Sequence, residues 1–165
     1  MIIQKETVYS VENANKKINV TREFEAPVEK MWKAWTDRKI LDQWWAPKPW
    51  KAVTKSMDFR QGGTWLYYME GPDGSRHYSR ADYTTVVPNK FFVSKNGFCD
   101  ENGNFNPEFS GSQWKVEFYG NGNNTKVEVE IILPSVEHLN KFIQMGFKEG
   151  FAAAHDNLDE LLETL

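Results

Sequence analysis

The chain has a single cysteine, Cys99, so no internal disulfide can form, as in proteins of a reducing compartment. It also lacks any block of like charge: 20 basic and 23 acidic side chains leave a net charge of −3. Nucleic-acid surfaces need clustered Lys and Arg, so nucleic acid is not an expected partner. No apolar run approaches the ~20 residues that span a bilayer, and no membrane association is expected. The N-terminal stretch MIIQKETVYSVENANKK lacks the apolar centre of a signal peptide. The expected location is cytoplasmic, and the sequons at Asn19 and Asn123 are read as chance matches without a glycan.

Catalytic motifs are equally scarce. The three histidines, His77, His138 and His155, have no metal-site spacing, and no second cysteine can join them. Neither a Gly-x-Ser-x-Gly elbow nor a P-loop occurs, and Cys99 has no basic neighbour closer than Lys95 to activate its thiol. No metal, cofactor or catalytic residue is therefore assigned. Arg80 and Asp82 share one face of a strand, where an ion pair with strand neighbours accounts for them.

What the chain does have is aromatic side chains, 15% of its 165 residues, including seven tryptophans. It also has a long amphipathic stripe at its end. Val136, Leu139, Ile143, Phe147, Phe151, Ala154, Leu158, Leu161 and Leu165 recur at steps of three or four, which predicts one helix from Ser135 to Leu165. Pro134 stops the preceding segment and Ser135 suits the N-cap. Gly146 and Gly150 interrupt the stripe, each costing about 1 kcal/mol against Ala in a helix interior. They imply either a kink near Gly146 or close approach of a strand or ligand to the helix backbone.

Ahead of that helix the alternation is that of strands. Ile18, Val20 and Phe24 share a face, with Arg22 among them, expected at the sheet margin beside a carboxylate. Residues 1–16 read as a loose arm or an extra edge strand, and the domain proper as 17–165. After Ala26-Pro27, Val28, Met31, Trp32 and Trp35 form one helical face. Thr36-Asp37 caps a second short helix carrying Ile40, Leu41, Trp44 and Trp45, which Pro47 and Pro49 end. Six strands follow, at 51–59, 64–70, 76–87, from Phe91, and in a final hairpin joined at Gly120–Asn124. Asp100 to Gly111, polar and rich in Gly and Asn, reads as the longest loop.

This order resembles the helix-grip superfamily of START domains, polyketide cyclases and birch-pollen-type allergens. More narrowly, it is similar to the family named after the activator of heat-shock protein 90 ATPase. The matching stretches are REFEAPVEKMWKAWTD from Arg22, LDQWWAP from Leu41, DFRQGGTW from Asp58, GPDG from Gly71 and MGFKEGF from Met145. The resemblance implies an α+β fold: a curved seven-stranded antiparallel sheet wrapped around a long C-terminal helix, with two short helices between strands one and two.

It also implies a ligand cavity between sheet and helix. Strand parity assigns Trp65, Tyr67, Met69, Trp114, Val116 and Phe118 to its wall, and the helix contributes Ile143, Phe147 and Phe151. Trp35 from the helix pair, Tyr83, and His155 at one end of the stripe complete the candidate site. The function expected is non-catalytic binding of a hydrophobic small molecule for sequestration, sensing or resistance. A cyclase- or hydratase-like enzyme is the alternative, with Tyr67, Tyr83 and His155 as its only plausible acids or bases. A chaperone-interacting module ranks lower, because the eukaryotic activator carries a further domain and no basic groove is evident here. The oligomeric state expected is monomer or homodimer.

Overall fold

The sheet grows from the alternation at residues 17–24, where every second side chain is buried. The computed structural model describes residues 5–165; the first four residues of the predicted arm lie outside the described residues. In chain order the elements are β1 (Val8–Glu12), a 3-10 turn (Asn13–Asn15), β2 (Lys17–Phe24), α1 (Val28–Thr36), α2 (Arg38–Trp44), β3 (Lys51–Met57), β4 (Thr64–Glu70), β5 (Arg76–Val87), β6 (Phe91–Cys99), β7 (Phe105–Asn121), β8 (Asn124–Ile132), α3 (Val136–Gln144) and α4 (Phe147–Leu162). All strands join one antiparallel sheet in the order β1-β2-β8-β7-β6-β5-β4-β3. The helices cover its inner face, which is the helix-grip arrangement.

Register follows from burial. Ile18 pairs with Ile131, Val20 with Val129 and Arg22 with Val127, so the apolar faces of β2 and β8 point together into the core. Arg22 is only 3% exposed and reaches Asp156 at 2.7 Å and Asp159 at 3.9 Å, both on α4. A buried guanidinium survives there because it is paired.

The two short helices plug one end of the curved sheet. Asp37 caps α2 by accepting from the backbone N–H groups of Lys39 and Ile40. Trp44 donates its indole N–H to the Ala34 carbonyl at 3.0 Å, tying α2 to α1. Trp35, Trp44 and Trp45 meet edge-to-face with centroids 4.9 to 5.5 Å apart. The Asn157 amide of α4 donates to the Ala46 carbonyl at 3.0 Å, which closes this end.

Three expectations change. The sheet has eight strands among the described residues where the sequence predicts seven. The additional one is β1, the extra edge strand of the two readings of residues 1–16, paired with β2 from Val8↔Thr21 to Glu12↔Lys17. It is held because Tyr9 and Val11 pack on the core and the Tyr9 hydroxyl donates to the Lys148 carbonyl at 2.6 Å.

The loop expected over 100–111 shrinks to a turn at 100–104. The Asp100 carboxylate accepts from the N–H groups of Asn102 and Asn104, both at 2.9 Å, and β7 starts at Phe105. The residues after it extend the β6–β7 hairpin; most are exposed, and the pairing shifts register around Gly97, so no regular alternation of buried apolar residues marks it.

The C-terminal helix is two helices. Gly146 has φ +90°, left-handed backbone that glycine adopts without strain, and it ends α3 and begins α4. Apolar steps of three and four run straight across the break, so periodicity alone predicts continuity. Of the two roles open to the glycines, Gly146 takes the kink.

Candidate functional site

A cavity of about 240 Å³ lies between the α3–α4 junction and the inner face of β4 to β7. Its volume lies just below the roughly 300 Å³ at which small-molecule sites usually begin, so it suits a small ligand. The facing wall carries small residues at Gly97, Ser110 and Ser112, so no side chain fills the space. At Gly97 the strands come so close that an added Cβ would lie 2.4 Å from the Ser110 Cβ. Gly97 therefore keeps both the β6–β7 pairing and the free volume beside it.

The rest of the lining is a run of rings. Phe142 stacks on Phe147 at 4.4 Å and Phe147 on Phe151 at 5.3 Å. Trp114 and Trp45 then meet Phe151 edge-on at 5.7 and 5.9 Å. Toward the outside stand Met145, Glu108 and His138. His138 bonds to the Ser135 hydroxyl at 2.7 Å and reaches the Pro107 carbonyl at 3.4 Å. Lys141 approaches Glu108 at 3.7 Å, a second link from α3 to the β7 extension, weak because both groups are exposed.

The inner end is polar at one point. Trp45 donates its indole N–H to the Tyr67 hydroxyl at 2.9 Å. Tyr67 also stacks on Trp65 with centroids 4.0 Å apart, and Trp65 donates to Thr54, which donates to Asp42 at 2.6 Å. This chain of contacts fixes the phenol. Burial raises the Tyr67 pKa, so the hydroxyl keeps its proton. Asn96 accepts from Ser94 at 2.6 Å, and Ser112 donates to the Asn96 carbonyl at 3.2 Å.

The candidate residues are divided among three places. Tyr67, Met69, Trp114, Phe147 and Phe151 line this cavity. Trp35, Trp65, Tyr83 and Val116, with Trp114 again, border a separate void of about 20 Å³ beneath the helix pair. That void has room for a single water. Phe118 packs against Trp32 at 5.3 Å, and Ile143 is half-buried against the core; neither borders the cavity.

His155 borders neither space. Its Nδ1 meets the Thr7 hydroxyl at 3.0 Å, its ring lies 4.2 Å from Phe151, and its Nε2 has no partner. Burial, helped by the nearby Arg22 charge, depresses its pKa to about 3, so it is neutral at physiological pH. Of the three groups named for an enzymatic reading, only Tyr67 reaches the larger cavity. Burial raises the Tyr83 pKa as well.

Sequence reasoning passed over Trp45, Ser79, Asn96, Ser112 and Phe142 as lining residues. For Ser112 the signal was present, since it sits two before Trp114 and shares its parity. For Asn96 it was obscured by register shifts on either side of Gly97. Among the described residues no group of three or more His, Cys, Asp or Glu is placed to hold a metal. Among the same residues no helix is long and apolar enough to cross a membrane.

Residues 25–163 match the model of the family described as Activator of Hsp90 ATPase homolog 1-like protein. The chain belongs to that family. A Mycobacterium smegmatis protein of known crystal structure is 29% identical, with a TM-score of 0.87 over 96% of this chain and 98% of that one. An Arthrobacter aurescens protein solved in solution is 28% identical, with a TM-score of 0.90 over 96% of this chain and 92% of that one. No curated protein matches in sequence. Membership of the family supports a ligand-binding or activator-like module on a helix-grip fold.

Proposed function

We propose that this protein binds a hydrophobic small molecule in the cavity between the sheet and its two C-terminal helices, without performing chemistry on it. The observation that carries this reading is the unfilled 240 Å³ space itself. Rings of Trp45, Trp114, Phe147 and Phe151 border it, and interiors are ordinarily packed to crystal-like density. The space is partly open to solvent, so a bound apolar molecule displaces water from these rings and gains dispersion contacts with the walls. Among the described residues, no second carboxylate or imidazole joins Tyr67 at the inner end, which favours binding over turnover.

N-phenyl-1-naphthylamine, a neutral fluorescent probe, tests the proposal. It is expected to bind with micromolar affinity and to quench tryptophan emission, because Trp45 and Trp114 lie on the wall. Phe147→Ala is expected to weaken that binding at least fivefold. Absence of binding by this probe, together with no displacement of it by other apolar compounds, would refute the reading. The family description supports a second reading, association with heat-shock protein 90. It predicts stimulation of that chaperone's ATPase by the purified protein.

A further inference from the structure

We infer that the ligand is an uncharged apolar molecule carrying one hydrogen-bond-accepting oxygen, which the Tyr67 hydroxyl meets at the buried end of the cavity. This inference rests on the small-molecule reading and narrows it to a chemical class.

Its first support is the direction of the Tyr67 proton. A phenol both accepts and donates. Its oxygen accepts the Trp45 indole proton at 2.9 Å, and an indole has only that one donor. The phenolic proton is therefore directed away from Trp45, toward the remaining neighbours. Tyr67 and Ser79 are direct cross-strand partners on β4 and β5, and Trp45, Tyr67 and Ser79 all line the cavity. With the cavity empty, the rotatable Ser79 hydroxyl can hold the phenolic proton. With a ligand present, Ser79 can instead donate a second bond to the same oxygen. Stacking on Trp65 holds the Tyr67 ring, so the donor is placed before any ligand arrives.

The second support is electrostatic. The charged lining residues are Arg80 and Glu108, with His138 the titratable one. Arg80 is spent on Asp82 at 2.8 Å and on the Gly103 carbonyl at 3.0 Å. Glu108 stands near Lys141, and His138 is bonded to Ser135 and Pro107, all at the outer side. Among the described residues no free cation lines the buried end, so an ionised carboxylate would lose its hydration there without compensation. A neutral oxygen loses less, and the Tyr67 donor repays it.

Matched probes separate this inference from the reading beneath it: 2-ethylnaphthalene, 2-acetylnaphthalene and 2-naphthoate, titrated calorimetrically into the whole protein. The ketone is expected to bind at least fivefold tighter than the hydrocarbon, and the naphthoate at least tenfold weaker than the ketone. In Tyr67→Phe the ratio of ketone to hydrocarbon affinity, both measured on the same variant, is expected to fall to about one. The carbonyl infrared band of bound 2-acetylnaphthalene, expected at lower frequency than in hexane, reports the hydrogen bond without any substitution. That readout decides the matter if the variant does not fold. Equal binding of ketone and hydrocarbon, an unshifted carbonyl band, or naphthoate binding as tight as the ketone overturns the inference while leaving the small-molecule reading standing. Failure of all three probes and of N-phenyl-1-naphthylamine removes both.

Discussion

Either side of Gly146 the C-terminal segment carries one continuous apolar stripe, yet its two halves meet very different interiors. From Phe151 onward α4 buries Phe151, Ala154, His155, Leu158 and Leu162, whereas α3 buries only Leu139. The difference lies in what stands opposite. The end of α4 faces the bulky residues of β2 and the helix pair, with Phe24 5.5 Å and Trp44 6.5 Å from His155. The α3–α4 junction faces Gly97, Ser110 and Ser112, and the space stays open. A stripe says which side of a helix turns inward; the opposing wall decides whether the inside is filled.

The sharpest way to break that comparison is to truncate one residue on each side. Leu158 is 0% exposed, so Leu158→Ala is expected to cost about 2–5 kcal/mol in urea unfolding. Phe142→Ala, whose ring already borders open space, is expected to cost about 1 kcal/mol while weakening probe binding. Similar costs at both sites would mean that the two halves are packed alike.

A smaller effect separates the filled half by pH. The His155 pKa is depressed from 6.5 to about 3 in the folded chain, so below pH 6.5 the unfolded chain binds the extra proton. The contribution is complete above pH 6.5 and is lost as pH falls toward 3. Between pH 7 and 5 the loss is about 2 kcal/mol from this group. His155→Gln is expected to flatten that slope in guanidinium unfolding, and an unchanged slope would assign the acid sensitivity to other groups.

The smallest expected effects come from the two glycines, and their signs differ. Gly146→Ala forces φ +90° on a residue with a Cβ and is expected to cost about 1–2 kcal/mol. Gly150→Ala sits inside α4, where the added Cβ meets only the Pro47 ring at 3.8 Å, and is expected to stabilise by up to about 1 kcal/mol. Because Gly150 lines the cavity, the same methyl is expected to lower probe affinity. Thermal unfolding of the pair, with probe titration, checks all three signs.

How much was legible can be seen residue by residue. Strand alternation located β2, β4, β5 and β8, because one buried face imposes a period of two on those residues. The Asp37 cap and the two prolines after Ala46 bounded the helix pair, since each acts through local backbone chemistry. The β7 extension was hidden, because most of its residues are exposed and its pairing with β6 shifts register around Gly97, so no regular alternation of buried apolar residues reveals it. Parity placed Tyr67, Met69 and Trp114 on the inner face correctly, but it placed Trp65 and Val116 there equally well. Inner-face residues at one end of the sheet border the cavity, while those nearer the helix pair are covered by Trp35 and Trp45. Parity has no coordinate along the strand that separates them.

The sequence by itself determined most of the elements and their inward faces, because those depend on neighbours one to four residues apart; the helix-grip arrangement was legible through the family resemblance of its motifs. The C-terminal segment, read as a single helix, carried its own break at Gly146, and the glycine was visible there even though its φ was not. Only the tertiary structure decided that α3 leaves a space beside β6 and β7, that His155 turns to Thr7 rather than into that space, and that Trp45 reaches the Tyr67 hydroxyl. Each of these is a distance between groups 22 to 148 residues apart in the chain. Such distances are set by how the sheet curls and where the helices come to rest, to which local periodicity is blind.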